Sequence, residues 1–400
     1  MNQSIALLGR QPALGVAELE SLYGAAAIRR ASQTSALIDL PWQAISFPRL
    51  GGSIKLGEVI AVLEQANWQH VEKYLYKLGP ILAKELPEGK IQLGMSAYDL
   101  DISPQKLLAS GLTLKKILRK SGRSVRLSPN TEPALSSAQV IHNHLTGERG
   151  CELLFVRDGA KIIIARTKAV QDIASYTLRD RGRPKRDIRV GMLPPKLAQI
   201  IINLAIAQNP VHEILDPFCG TGVVLQEAFL MELYTYGSDL EQRMVEYSEK
   251  NLEWISDQVR EEIGRHPTQE IRIEQGDATN HKWDFTSGAI NAIACEGYLG
   301  QPFTTFPPEA KLRDVMQTCN TIAKGFLKNI HGQIQPGTRL CIGLPAWQKK
   351  PGEFLHLPVL DCLEELGYNR VSFEHVRDNQ LLYAREDQIV ARELLVLTTN

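Results

Sequence analysis

The sequence predicts an α/β protein. Its C-terminal half should carry a mostly parallel sheet covered by helices on both faces, with an antiparallel edge, behind smaller α+β units. Three observations predict this. From residue 191 onward, apolar strand-like runs alternate with helical segments, a pattern that lays strands parallel. Ile214-Leu215-Asp216 runs directly into a glycine-containing turn and then a helix, as at the ligand edge of an open α/β sheet. Toward the end, strand follows strand with short connections, which suits antiparallel pairing.

Taken in order, residues 4–9 read as a short buried strand. Residues 12–23 form a helix with Leu14, Val16, Leu19 and Leu22 near helical spacing, and 36–40 a strand closed by Pro41. These make a first domain over 1–60. A second, over 61–165, has a strand at 91–95, a helix at 104–120, a strand at 124–127 and a helix at 136–145. Strands 151–156 and 161–165 close it around Asp158-Gly159, a hairpin signal. Residues 166–190, charged and punctuated by Gly and Pro, read as a basic linker. The last domain, 191–400, has helices at 195–207, 223–231 and 241–254. Its strands are expected at 212–216, 235–239, 270–275, 289–295, 338–344, 371–376, 381–384 and 393–397. Residues 300–335, with Gln301-Pro302-Phe303 and Phe306-Pro307-Pro308, read as an insertion on the substrate side.

A chain of 400 residues is too long for one core, and 44% apolar with 22% charged residues describes a globular protein. No apolar run approaches the roughly 18 residues of a membrane span. Met1-Asn2-Gln3-Ser4 does not open a secretory signal, so a cytoplasmic location is expected. The six cysteines are scattered singly, which fits reduced thiols and argues against a zinc module; the nine histidines suggest no metal site. The net charge of zero averages over unlike regions. Residues 102–131 hold no acid but carry Lys106, Lys115, Lys116, Arg119, Lys120, Arg123 and Arg126. A second basic run contains Arg179, Arg181, Arg183, Lys185, Arg186 and Arg189. These suggest a local polyanion-binding surface, with Lys115, Lys116, Arg119, Arg183, Lys185 and Arg186 as phosphate contacts. A solvated helix face is the plainer alternative for either run.

The chemistry concentrates in Asp216-Pro217-Phe218-Cys219-Gly220-Thr221-Gly222. Glycines there let the backbone approach a ligand closely. A strand-terminal carboxylate suits a cationic amino acid moiety better than a pyrophosphate, which needs N–H groups alone. Tyr236-Gly237-Ser238-Asp239 ends the next strand in an acid, the spacing that ribose-hydroxyl recognition requires. Gly276-Asp277-Ala278 follows the third strand.

The Asp-Pro-Phe-Cys-Gly-Thr-Gly segment resembles the first motif of the class I amino-methyltransferases, especially their RNA guanosine-N2 branch. Arg179-Asp180-Arg181-Gly182-Arg183-Pro184-Lys185-Arg186-Asp187 and Gly191-Met192-Leu193-Pro194-Pro195-Lys196 resemble the segment leading from a THUMP domain into the catalytic domain of tRNA guanosine-N2 methyltransferases. Leu8-Gly9-Arg10-Gln11-Pro12 resembles their ferredoxin-like start, and Tyr383-Ala384-Arg385 with Arg392-Glu393 fits their end. The resemblance implies a Rossmann-like class I methyltransferase domain with a seven-stranded sheet over 191–400. It further implies a ferredoxin-like domain over 1–60 and an RNA-binding THUMP domain over 61–165. It implies S-adenosylmethionine as cofactor, held by Pro194, Asp216, Phe218, Gly220, Thr221, Gly222, Asp239, Leu240, Asp277 and Ala278, and tRNA as partner. A monomer is expected, with a helper subunit left open.

The sequence departs from that family after the fourth strand, where Asp/Asn-Pro-Pro-Tyr/Phe is usual. Here Ala294-Cys295-Glu296-Gly297-Tyr298-Leu299-Gly300 stands instead. Glu296 can accept from an exocyclic amino group and Tyr298 can stack on a base, so both are the expected catalytic residues. An amino-methyltransferase of DNA, or a catalytically silent RNA-binding protein with a degenerate loop, remain alternatives.

Overall fold

The computed structural model describes residues 2–187, 192–210, 213–263, 268–285, 292–385 and 388–400. It divides into two compact units, Met1–Val16, Ala25–Pro48 and Gly52–Ala174 in the first, and Ala17–Gly24, Arg49–Gly51 and Ser175–Asn400 in the second.

The first unit is built from β1 (Ser4–Leu8), α1 (Pro12–Tyr23, whose end belongs to the second unit), β2 (Ile28–Arg30), β3 (Ser35–Ile38), β4 (Ser53–Leu63), α2 (Trp68–Glu85) and β5 (Ile91–Tyr98). It continues with α3 (Pro104–Lys120), β6 (Val125–Leu127), α4 (Ser137–His142), β7 (Gly150–Asp158) and β8 (Lys161–Val170). The strands form one sheet in the order β2-β3-β1-β4-β8-β7-β5-β6. The expected division at residue 60 is therefore absent. β4 crosses that position and pairs antiparallel with β1 on one side and β8 on the other, so neither half of the sheet has an edge there. α2, which the sequence reading did not place, carries Pro80 in its interior, is capped by Asn67 and buries Val71, Leu75, Leu78 and Leu82. Gly79 is needed where it stands: a Cβ there would lie 2.5 Å from Cγ2 of Ile117 on α3. Beneath the sheet Glu152 is fully buried, bonded by Lys55 at 2.5 Å, Ser96 at 2.6 Å and Thr167 at 2.6 Å, so this buried charge is paired and hydrogen-bonded.

The second unit holds α5 (Ile173–Arg181, of which the first two residues fall in the first unit), α6 (Pro195–Ile206), β9 (Glu213–Asp216), α7 (Val223–Leu230), β10 (Tyr234–Asp239), α8 (Gln242–Ile263), β11 (Ile271–Gln275) and β12 (Ala292–Glu296). Then come α9 (Glu309–His331), β13 (Arg339–Lys350), β14 (Glu353–Leu355), β15 (Tyr368–Arg370), β16 (Leu382–Tyr383) and β17 (Val390–Thr399). The main path of its sheet is seven strands in the order β11-β10-β9-β12-β13-β17-β15, with β14 against β13 and β16 against β17. β11, β10, β9, β12 and β13 are mutually parallel, whereas β17 runs antiparallel to β13 and β15.

Three expectations change here. The region 166–190 is no plain linker, because β8 runs to Val170 and α5 follows. Residues 300–335 are not an insertion: α9 is the crossover helix between β12 and β13, burying Leu312, Cys319, Ala323, Phe326, Leu327 and Ile330 in the core. The strand expected at 371–376 is Tyr368–Arg370 instead; buried Tyr368 donates its hydroxyl to Leu327 O at 2.8 Å, and Val371 N adds one bond before the chain leaves the sheet. Arg189 and Gly191, with residue 212 of the expected strand 212–216 and residues 289–291 of the expected strand 289–295, lie outside the described residues.

Candidate active site

The strand order reverses at β9. β10 and β11 lie on one side of it, β12 and β13 on the other, and open α/β sheets bind ligands at such a switch point, beyond the carboxyl ends of the strands. The sheet brings Asp216, Asp239 and Glu296 to that edge: Asp216 stands opposite Gly237 on β10, and Leu215 opposite Ile293 on β12.

The turn after β9 is shaped by its own acids. Asp216 is 2% exposed, and its Oδ1 accepts from Phe218 N at 3.1 Å. Asp239 accepts from Gly220 N at 2.9 Å and from Glu241 N at 3.0 Å, joining the ends of two strands. Gly220 and Gly222 take φ of 52° and 78°, the left-handed region that favours glycine. A Cβ on Gly222 would sit 2.9 Å from Ser248 Oγ, whereas one on Gly220 would meet only Phe218 O, at 3.9 Å. The turn thus leaves open space at Gly220, between two carboxylates. Burial pushes the Asp216 carboxyl well above its ordinary range, with Asp239 and Glu296 adding repulsion against the pull of the Phe218 N–H. Burial likewise raises Asp239. Carboxylates so crowded favour a cationic guest. The Cys219 and Cys295 thiols beside them are also pushed well up by burial, which argues against a thiolate nucleophile.

The remaining expected contacts surround this open space unevenly. Gly276 N donates to Asp239 O at 2.9 Å, tying the loop of Asp277 and Ala278 to the end of β10. Asp277 uses Oδ1 to accept from the Thr279 N and hydroxyl at 2.9 and 2.7 Å. Leu240 is 65% exposed, while Ala278 is buried. Pro194 caps α6, its carbonyl accepting from Leu197 N. Phe218 turns partly into the core, edge-on to Phe326 at 5.2 Å. Thr221 is buried and accepts from Arg183 Nη1 at 3.2 Å.

That last bond corrects one expectation. Arg183 is 4% exposed and cannot serve as a surface phosphate contact, because it packs behind the turn. Arg179 is buried too, its Nε 2.7 Å from Glu227 Oε1. Lys185 is half-buried with its ammonium over the Tyr247 ring, whereas Arg186 is exposed. On α3, Lys116 and Arg119 are exposed and Lys115 is half-buried.

At the end of β12, Arg392 on β17 donates through Nε to Glu296 Oε1; among the described residues Oε2 has no protein partner. Gly297 N then donates to Gly343 O at 2.9 Å, extending the ladder by one bond that a proline could not make. Tyr298, at 47% exposed, presents its ring at the surface. Sequence reasoning missed the roles of Arg392 and of Asn251. Asn251 is fully buried; it donates to Thr221 O at 2.8 Å and Lys185 O at 2.9 Å and accepts from Lys185 N. A polar residue next to Leu252 on the buried stripe of α8 was the available signal.

The strand order, the antiparallel strand β17 beside the parallel five and the acids ending β9 and β10 give the fold of a class I methyltransferase domain, the class whose cofactor is S-adenosylmethionine. Residues 183–279 match the UPF0020 family, described as an RMKL-like methyltransferase domain. The chain is similar to the tRNA (guanine(10)-N2)-dimethyltransferase of Pyrococcus abyssi, 38% identical over 176 residues, 44% of this chain and 43% of that protein. It is also similar to the enzyme of that name from Methanothermobacter thermautotrophicus, 28% identical over 157 residues, 39% of each chain. The matched regions thus span less than half the length of these curated relatives. Among solved structures, TrmN from Thermus thermophilus superposes with a TM-score of 0.50 at 16% identity, covering 100% of both chains. SMU.472, solved with SAH, gives 0.51 at 12% identity, covering 100% of this chain and 98% of its own. At such identities these two show the fold.

Among the described residues no helix is long and apolar enough to cross a membrane. The open space at Gly220 and the crowded carboxylates fit S-adenosylmethionine, whose amino acid end is cationic at its nitrogen and sulfur.

Proposed function

We propose that this protein transfers a methyl group from S-adenosylmethionine to the exocyclic N2 amino group of a guanosine in tRNA. The observation that carries the reading is Glu296: it ends the fourth parallel strand beside Asp216, with one oxygen held by Arg392 and the other without a protein partner among the described residues. A carboxylate oxygen accepts hydrogen bonds, so the oxygen that Arg392 leaves open can accept from the exocyclic N2–H of guanine. The names of the Pyrococcus and Methanothermobacter relatives support guanine N2 and make guanosine 10 the first position to examine.

When bound, the cofactor supplies an electrophilic methyl group on a sulfonium. Asp216 and Gly220 would hold its amino acid end and Asp239 its ribose, with Leu240, Asp277 and Ala278 around the base. Pro194, Phe218, Thr221 and Gly222 shape the turn that receives it. Glu296 orients the target amine and takes up positive charge as it develops, while the exposed Tyr298 ring stacks on the base. Alignment of amine and methyl supplies most of the acceleration. Lys115, Lys116 and Arg119 on α3, with Lys185 and Arg186, bind RNA phosphates, the first unit acting as a THUMP-type RNA-binding domain. The protein works as a monomer in the cytosol, where its free cysteines stay reduced.

The test is incubation of the purified protein with cofactor and unmodified tRNA, followed by nucleoside mass spectrometry. Formation of N2-methylguanosine or its dimethyl form is expected, and Glu296→Gln should lower turnover about 100-fold or more. Absence of transfer by the parental protein, transfer to DNA alone, or parental turnover in the variant would each overturn the reading.

A further inference from the structure

Glu296 and Arg392 sit on strands that are not neighbours, since β13 runs between them. Glu296 stands opposite Gly343 in the β12·β13 pair, and Gly343 stands opposite Leu394 in the β13·β17 pair. Paired residues share a face and alternate residues return to it, so Glu296, position 343, Leu394 and Arg392 all lie on one face of the sheet. Arg392 itself stands opposite Pro345, so the path between the two charged groups runs diagonally over β13, past Pro345 and Gly343, and Gly343 leaves the Glu296 end of it clear of a side chain. A Cβ at 343 would touch Leu394 Cδ2 at 3.7 Å and Glu296 Cα at 3.8 Å; a methyl group fits there, but a branched side chain would fill the space between the two charged groups. Across that gap Arg392 bonds Glu296, with their side chains 9% and 13% exposed.

A glutamate at a strand end has three rotatable bonds and, unlike a residue in an Asp-Pro-Pro loop, no rigid backbone following it. The Gly297–Gly343 hydrogen bond fixes the backbone at its base, but nothing in that bond aims the carboxylate. A charge-assisted bond from a nearly buried guanidinium does. We propose that Arg392 is a positioning residue for the transfer: it holds one oxygen of Glu296 so that the other is presented to the target amine, and Gly343 keeps the Glu296 end of its path clear. The inference rests on the methyl-transfer reading above.

The experiment compares the full-length parent with Arg392→Gln, Arg392→Lys, Gly343→Val, Glu296→Gln and the Glu296→Gln/Arg392→Gln double variant. It reads kcat and KM on tRNA, and S-adenosylhomocysteine affinity by calorimetry. Arg392→Gln should lower kcat roughly 10- to 100-fold, with KM and ligand affinity within about twofold of the parent. Arg392→Lys should restore part of the rate, because it keeps a donor and the charge. Gly343→Val, which alters neither charged residue, should reproduce the loss. The double variant should be no slower than Glu296→Gln, since the two residues act as one unit. Parental kcat in Arg392→Gln, losses that multiply in the double variant, or equal falls in kcat and ligand affinity would each overturn the positioning role. If Arg392→Gln does not fold, Arg392→Lys and Gly343→Val decide by the same readings. An active parent with any of these failures refutes Arg392 alone; a parent that transfers no methyl group refutes the methyl-transfer reading and the positioning role with it.

Discussion

The two basic stretches of the chain differ in what surrounds them. On α3, Lys116 and Arg119 point to solvent from a helix whose apolar stripe, Leu107, Leu114 and Leu118, is buried in the core. In the stretch from 179 to 186, Arg179 is sealed against Glu227, and Arg183 lies behind the glycine turn after β9 with its guanidinium pushed down by burial. Both stretches are dense in cations, but Lys116 and Arg119 of the first are open to water, whereas two arginines of the second, Arg179 and Arg183, are committed to a carboxylate and a threonine and leave Arg181 and Arg186 as its exposed cations. A run of positive charge thus becomes a binding surface or a structural brace according to which of its residues lie on an exposed face.

The comparison can be broken most sharply by removing Arg179. Glu227 is 1% exposed, and leaving it unpaired should destabilise the protein by about 3–5 kcal/mol in denaturant unfolding. Reversing Lys116 or Arg119 should change stability by under about 0.5 kcal/mol. Similar stability losses from the two stretches would erase the distinction.

A second expectation concerns RNA. Reversing Lys115, Lys116 and Arg119 together should weaken tRNA binding and flatten its salt dependence, by about one unit of slope for each phosphate no longer neutralised. S-adenosylhomocysteine binding should stay as in the parent. An unchanged salt slope would return the α3 face to the status of solvated surface.

The smallest effect belongs to the buried carboxyl at the turn. Asp216 is raised above its unfolded value near 3.9, so its proton contributes stability to the ligand-free protein at low pH, and that contribution is lost as pH rises through the raised value. A cationic cofactor reverses the preference by favouring the carboxylate. Binding should therefore release up to about one proton at pH below the raised value, and affinity should fall as pH drops through it. Calorimetry in buffers of different ionisation enthalpy measures this directly; uptake of protons, or pH-independent affinity, would contradict the assignment of Asp216 to the cationic end.

Much of the cofactor half was legible locally. A strand that ends in Asp216, two glycines with positive φ and a second acid at Asp239 are signals contained in about 25 consecutive residues, and the structure places both acids at one sheet edge. The helices that were missed or misread carry prolines that obscure them: Pro80 lies inside α2, and Pro302, Pro307 and Pro308 precede α9. The division at residue 60 failed for a different reason, since the eleven-residue β4 is satisfied only by partners from both supposed domains.

By itself, then, the sequence determined the alternation of strands and helices, the glycine turn after β9 and the acids that end β9 and β10, because periodicity and glycine conformation act over a few residues. The tertiary structure alone decided which arginines are exposed and what Glu296 touches. Arg392 lies 96 residues from Glu296 along the chain, and the two meet only because β13 separates their strands in a register that sets Gly343 opposite Glu296 and Pro345 opposite Arg392. Such a meeting depends on strand order and register, which are set by the burial of whole faces and not by the residues that finally touch.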